Sequence, residues 1–244
     1  MLRDADSVIA YIVYKYILLY DMGANMNFSL KHQPSYSLLH CELSQGESIK
    51  AESGAMVYMS EHITSETKFG SGILSALARK FLGGESLFVN TFTAQSGGTF
   101  VGFANDMVGD ISHYQLNGTL FIQSGSYLCS SPDIKVDPKF GGLRTLVGGE
   151  GLFLLKVTGS GDLFFASYGA IIEIDVKDKY IVDTGHIVAF EESLQFNVKR
   201  VGGWKSTLLS GEGLVCEFSG AGKVWIQSRV PNGFIGWVSK LLPR

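Results

Sequence analysis

One short string returns four times along this chain and constrains its fold more than any other feature. Gly46-Glu47-Ser48-Ile49, Gly84-Glu85-Ser86-Leu87, Gly149-Glu150-Gly151-Leu152 and Gly211-Glu212-Gly213-Leu214 all fit G-E-[SG]-[IL]. The last three continue alike: GGESLFVNTFTAQSGGTFVGFA, GGEGLFLLKVTGSGDLFFAS and SGEGLVCEFSGAGKVWIQS each read as strand, glycine-rich turn, strand. Gly159-Ser160-Gly161 and Gly220-Ala221-Gly222 stand where two such hairpins would turn, and hairpin loops favour residues that tolerate positive φ. A single hairpin cannot bury its own apolar face, so three or four copies are expected to share one core.

Period-two alternation extends the β reading. Ile172, Ile174 and Val176 alternate with Glu173, Asp175 and Lys177, which puts one face in a core and the other in water. Further strands are expected at 36–43, 55–60, 118–128, 179–190 and 194–201. Thirty of the 244 residues are glycine and only five are proline; the glycine share is well above the usual value of about 7%. Many glycines without low-complexity tracts mean many tight turns. No linker rich in proline, serine or charge divides the chain. The expected organisation is an N-terminal extension (1–25), one repeated β domain (26–230) and a C-terminal tail with helical spacing (231–244). The extension contains an apolar run, Val8 to Tyr20, too short for a membrane span of about 20 residues. Met26 reads as the natural start of the β domain.

Two segments carry helical periodicity. In 72–82, Ile73, Leu77 and Phe81 form a stripe with Arg79 and Lys80 beside it; in 233–242, Phe234, Trp237, Val238 and Leu241 stand at i, i+3, i+4 and i+7. Each stripe must bury against something: the β domain itself, a second subunit, another protein or a membrane surface. Ile73, Leu77, Phe81, Phe234, Trp237 and Leu241 are therefore the candidate contact surface.

Catalytic signatures are sparse. Ile181-Val182-Asp183-Thr184-Gly185 resembles the active-site loop of aspartic peptidases, which need two such aspartates sharing a proton. One copy is present, so the expected role of Asp183 is a turn in which its carboxylate binds its own backbone. His32, His40, His62, His113 and His186 are scattered, with no H-x-H, no H-E-x-x-H and no cupin-like pair. No G-x-S-x-G elbow, Walker loop or strand-following G-x-G-x-x-G occurs. Glu47, Glu85, Glu150 and Glu212 recur with the turn and read as turn-capping carboxylates. Cys41, Cys129 and Cys216 form no CxxC pair and no disulfide framework, as expected of buried thiols in a reducing, cytoplasmic setting. No catalytic residue, cofactor or metal is expected. A formal net charge of −3 offers no basic footprint for nucleic acid.

The runs GESIKAESGAMVYMS (46–60), GGESLFVNTFTA (83–94) and GGEGLFLLKVTGSGDLFFASYGAI (148–171) resemble a family of unknown function found in bacteria and archaea. Its eukaryotic member is a mitochondrial biogenesis protein, named for altered inheritance of mitochondria. The resemblance covers about 26–230. It implies a β-helix-like barrel of the double-stranded type, related in fold to the tryptophan RNA-binding attenuation protein, and it implies self-association. The family has no established catalytic or ligand residues to carry over, and RNA or tryptophan binding does not transfer with a fold. The expectation is an all-β, non-catalytic, homo-oligomeric binding or scaffold protein, peripheral to a membrane in one version. The alternatives are a hydrolase whose carboxylates or metal are assembled by the fold, and, against the charge, a nucleic-acid-binding protein.

Overall fold

The computed structural model describes residues 26–68, 89–137, 152–200 and 214–242. The extension 1–25, the stripe of Ile73, Leu77 and Phe81, and the turn glutamates Glu85, Glu150 and Glu212 lie outside the described residues.

The described chain is all-β with one α-helix. Its strands are β1 (Asn27–Lys31), β2 (Leu38–Leu43), β3 (Ser48–Glu52), β4 (Met56–Met59), β5 (Ile63–Lys68) and β6 (Val89–Ala94). Then come β7 (Thr99–Phe103), β8 (Ile111–Gln123), β9 (Tyr127–Ser130), β10 (Lys135–Asp137) and β11 (Leu154–Ala166). The last are β12 (Ile171–Val176), β13 (Lys179–Asp183), β14 (Ile187–Glu191), β15 (Gln195–Arg200), β16 (Leu214–Ser219) and β17 (Gly222–Gln227), followed by helix α1 (Pro231–Ser239). Three sheets result. One runs β1-β2-β7-β4, a second β12-β17-β14-β8-β11-β9-β3-β6-β5 with β10 beside β11, and a third β13-β16-β15. Every strand pair is antiparallel, and no pairing among the described residues closes a sheet on itself.

Alternation explains the strands locally. In β2, Leu39, Cys41 and Leu43 are buried while Glu42 faces water. In β15 every second residue, Phe196 and Val198 among them, turns inward. The buried faces meet in three cores. The first gathers Leu39, Ile49, Phe92 and Phe103 under Leu128 and Phe164. The second gathers Leu120, Ile122, Leu163 and Phe165 under Val188 and Trp225. The third centres on Phe190, whose ring lies 5.2, 4.9 and 5.1 Å from Phe121, Phe196 and Phe218. Burying one such ring contributes about 1.5–3 kcal/mol, with roughly 0.5–1.5 more for each well-placed aromatic pair.

Two local readings are corrected. Gly159-Ser160-Gly161 is no hairpin turn; it lies inside β11, which pairs with β8 along all thirteen residues. Gly159 and Gly161 take φ of +139° and +140°, so they bend the strand without reversing it. Nor do the strands of the other two strand–glycine–strand segments pair with each other. β6 and β7 lie in different sheets, as do β16 and β17. Glycine spacing marks where backbone bends, but it carries no information about which strand receives the next one.

The alternation proposed for Ile172, Ile174 and Val176 holds in part. Val176 is buried and Ile174 half-buried against the third core, whereas Ile172 is exposed, because β12 is a sheet edge.

Candidate functional site

Asp183 closes β13 and caps a single 3-10 turn, Thr184–His186. Its Oδ1 accepts the Gly185 N–H at 2.9 Å, the Asx-type bond expected of a turn. The rest of the turn is pinned from outside. Thr184 Oγ1 donates to the Leu214 carbonyl at 3.0 Å, and Gln227 Nε2 donates to the Gly185 carbonyl at 2.8 Å. His186 Nδ1 lies 2.6 Å from the Gln227 carbonyl oxygen. Asp183, Thr184, Gly185 and His186 thus each place a hydrogen bond in shaping or anchoring the turn. Glu47 has the same kind of duty: its Oε2 accepts the Ser44 N–H at 2.9 Å.

A largely buried polar arrangement joins β8 to β11. Asp162 is 3% exposed; its Oδ2 accepts the buried Met26 N–H at 2.9 Å, and its Oδ1 lies 2.7 Å from His113 Nε2. An ionised carboxylate only accepts, so in that form Asp162 takes this bond from the ring N–H. The His113 ring is held between Phe28 and Phe164, with centroids at 4.5 and 5.1 Å. Asp162 thereby ties the start of the β domain to its centre. Sequence reading passed over this pair, since forty-eight residues separate the two and neither sits in a motif.

The three cysteines are buried and free. Burial pushes the Cys41 and Cys129 thiols far up and Cys216 to about 12. None is a thiolate nucleophile near neutral pH. Among the described residues, no group of three or more His, Cys, Asp or Glu is placed to hold a metal ion.

The apolar groups that face water tell more. Helix α1 begins with Pro231 at its first turn, where the missing N–H costs nothing. Phe234 and Trp237 lie on it, and Leu241 follows in a turn just past its end. Trp237 is 58% exposed and Leu241 66%, with Phe234, Ile235 and Leu242 also exposed. Phe234 of α1 approaches Tyr168, in the loop between β11 and β12, edge-on at 6.4 Å. The helix ends at Lys240, whose charge suits a helix C-terminus. No helix among the described residues is long and apolar enough to cross a membrane. A second exposed apolar set, which sequence reading did not single out, lies on the edge strand β4: Met56, Val57 and Met59. Its signal was the run Ala55 to Met59, which contains no charge.

Three comparisons bear on this arrangement. The model of a family described as Mitochondrial biogenesis AIM24 matches residues 28–229. An uncharacterized protein of Streptococcus pyogenes serotype M6 is 28% identical over 229 residues, covering 89% of this chain and 92% of its own length. A crystal structure of a Streptococcus pyogenes protein, solved as a structural genomics target, superposes with a TM-score of 0.72 at 26% identity. That likeness covers 89% of this chain and all of the other.

Proposed function

This chain belongs to the Mitochondrial biogenesis AIM24 family, and from that premise we propose that it is a non-catalytic, self-associating binding or scaffold protein with α1 as a docking element. The observation that carries the reading is the exposure of Phe234, Trp237 and Leu241 on and just beyond the short helix α1. A nine-residue helix is marginal in water on its own. Leaving large apolar groups in water there forgoes about 25 cal/mol for each Å² that a partner would cover. The Asp-Thr-Gly string supports the non-catalytic side, since its carboxylate is spent on its own turn.

The partner surface is apolar, with room for negative charge beside Lys240. A second copy of the chain and an anionic lipid headgroup layer both fit, and near such a layer each lysine contributes about 1 kcal/mol. Light scattering paired with liposome flotation tests this on wild type and Trp237→Asp. The expected result is an assembly, or a lipid-bound fraction, that the wild type shows and Trp237→Asp loses while its circular dichroism stays β. A wild type that is monodisperse, monomeric and indifferent to anionic liposomes ends the proposal. Unfolding of Trp237→Asp would end it too, by making the helix a part of the core.

A further inference from the structure

Three strands of this protein share a local geometry, and two of them show what belongs beside the third. β4, β9 and β14 each follow a Ser-Gly or Thr-Gly pair, at Ser53-Gly54, Ser124-Gly125 and Thr184-Gly185. Each then carries a bulge at the third residue past the glycine: Val57 opposite β7, Leu128 opposite β11, Val188 opposite β17. On its other side β9 pairs with β3, matching Cys129 to Ala51 and Ser130 to Lys50. β14 pairs with β8 likewise, matching Ala189 to Ile122 and Phe190 to Phe121. The registers are the same. Cys129 and Ala189 are both four residues past their glycine, and Ala51 and Ile122 both stand three residues before theirs.

That rule leaves two strands over. β13 leads into Thr184-Gly185 with Val182 in the place of Ala51 and Ile122, yet among the described residues it pairs only with β16. β4 has Tyr58 in the place of Cys129 and Ala189, yet among the described residues it pairs only with β7. Exposure follows the same division. Leu128 and Val188 are 1% and 0% exposed, whereas Val57 is 54% exposed. Ile49 and Leu120 are fully buried, whereas Tyr180, at the matching place of β13, is 42% exposed and its neighbour Ile181 56%. Backbone links between successive segments agree. Ser37 N–H reaches the Gly109 carbonyl and Asp110 N–H reaches Gly169, each from the residue before a strand. The next in that series, Ala170 N–H, is taken by Ser228 Oγ, so the series does not come round to its beginning within the chain.

We propose that β13 of one copy of this protein pairs antiparallel with β4 of the next, setting Val182 opposite Tyr58 and Ile181 opposite Met59. The occupant is a second copy because the protein already makes this junction twice internally, with the same offset and the same burial. Unpaired apolar edges are templates for strand addition, and neither Met56–Met59 nor the exposed Tyr180 and Ile181 places a charge or proline in the way. The contact is heterologous, since the two edges differ, so it closes into a ring or runs on as a filament according to the rotation it imposes. This inference rests on the self-association proposed above and specifies its mode; it does not involve α1.

Cysteine trapping in the full chain tests it, with Met59→Cys and Ile181→Cys made singly and together. Both sites are exposed and the three native thiols are buried, so background cross-linking is low. Under mild oxidation, each single variant alone is expected to stay uncross-linked, their mixture to give covalent dimers, and the double variant a ladder or closed ring. Cross-linking of Met59→Cys with itself overturns the mode in favour of a symmetric β4 edge pair. A double variant that closes only within one chain overturns it in favour of internal closure. No cross-linking overturns it outright. Sedimentation of the wild type separates the two levels: a monomer defeats self-association altogether, whereas an oligomer with the wrong trapping pattern defeats only this junction.

Discussion

Removing the Asp162 carboxylate should be among the most damaging single changes in the described core. The side chain is 4% exposed and receives two donors, the buried Met26 N–H at 2.9 Å and His113 Nε2 at 2.7 Å. Alanine there leaves both donors without an acceptor in a site lined by Phe28 and Phe164. Each buried group left unsatisfied costs about 1–3 kcal/mol; the Met26 N–H is buried, whereas the His113 side chain, 28% exposed, keeps some access to water. An overall loss of roughly 3 kcal/mol is expected, a substantial share of the 5–15 kcal/mol that holds a typical domain together. Urea unfolding followed by tryptophan fluorescence reads it directly, since Trp225 belongs to the neighbouring core. The midpoint should fall with little change in slope. His113→Ala should cost less, because it vacates one donor and leaves the Met26 bond in place. The double variant should fall short of additivity by about 1–3 kcal/mol, as for residues sharing one network. A loss under about 1 kcal/mol in Asp162→Ala would refute the argument, by showing that Met26 and His113 find water or other acceptors.

Two further outcomes follow from local geometry. Gly109→Ala should destabilise strongly or abolish folding, because its Cβ would sit 1.9 Å from the Ser167 carbonyl oxygen, a backbone atom where Gly109 bridges to Gly169; soluble yield and thermal midpoint measure this, and a wild-type midpoint would contradict it. The three thiols should resist an aromatic disulfide reagent in native protein at pH 8 and react in urea. Burial raises their native pKa values, so protons leave the unfolded thiols first, and stability present below about pH 8.5 is lost above it, at up to about 1.4 kcal/mol per thiol for each pH unit. Stability that stays flat from pH 8 to 10 would contradict that sign.

What the sequence determined by itself was local. Alternating apolar residues specify strands whichever neighbours arrive, because side chains on a strand point to opposite faces. β2 and β15 were legible for that reason, and so was the turn formed by Asp183, whose carboxylate reaches its own backbone two residues on. The long strings shared with the family were legible too, and they place 28–229 in it. Pairing was not legible. Gly159-Ser160-Gly161 and Gly220-Ala221-Gly222 look alike in sequence, yet the first bends one continuous strand and the second carries the chain from one sheet to another. Val57, Leu128 and Val188 show the limit most plainly. All three are aliphatic, all follow Gly by three residues, and all sit at a bulge. Leu128 and Val188 are buried and Val57 is exposed, because β9 and β14 each have strands on both sides, whereas among the described residues β4 has a neighbour, β7, on one side alone. Burial depends on long-range pairing, and residue type with local spacing carries no record of it.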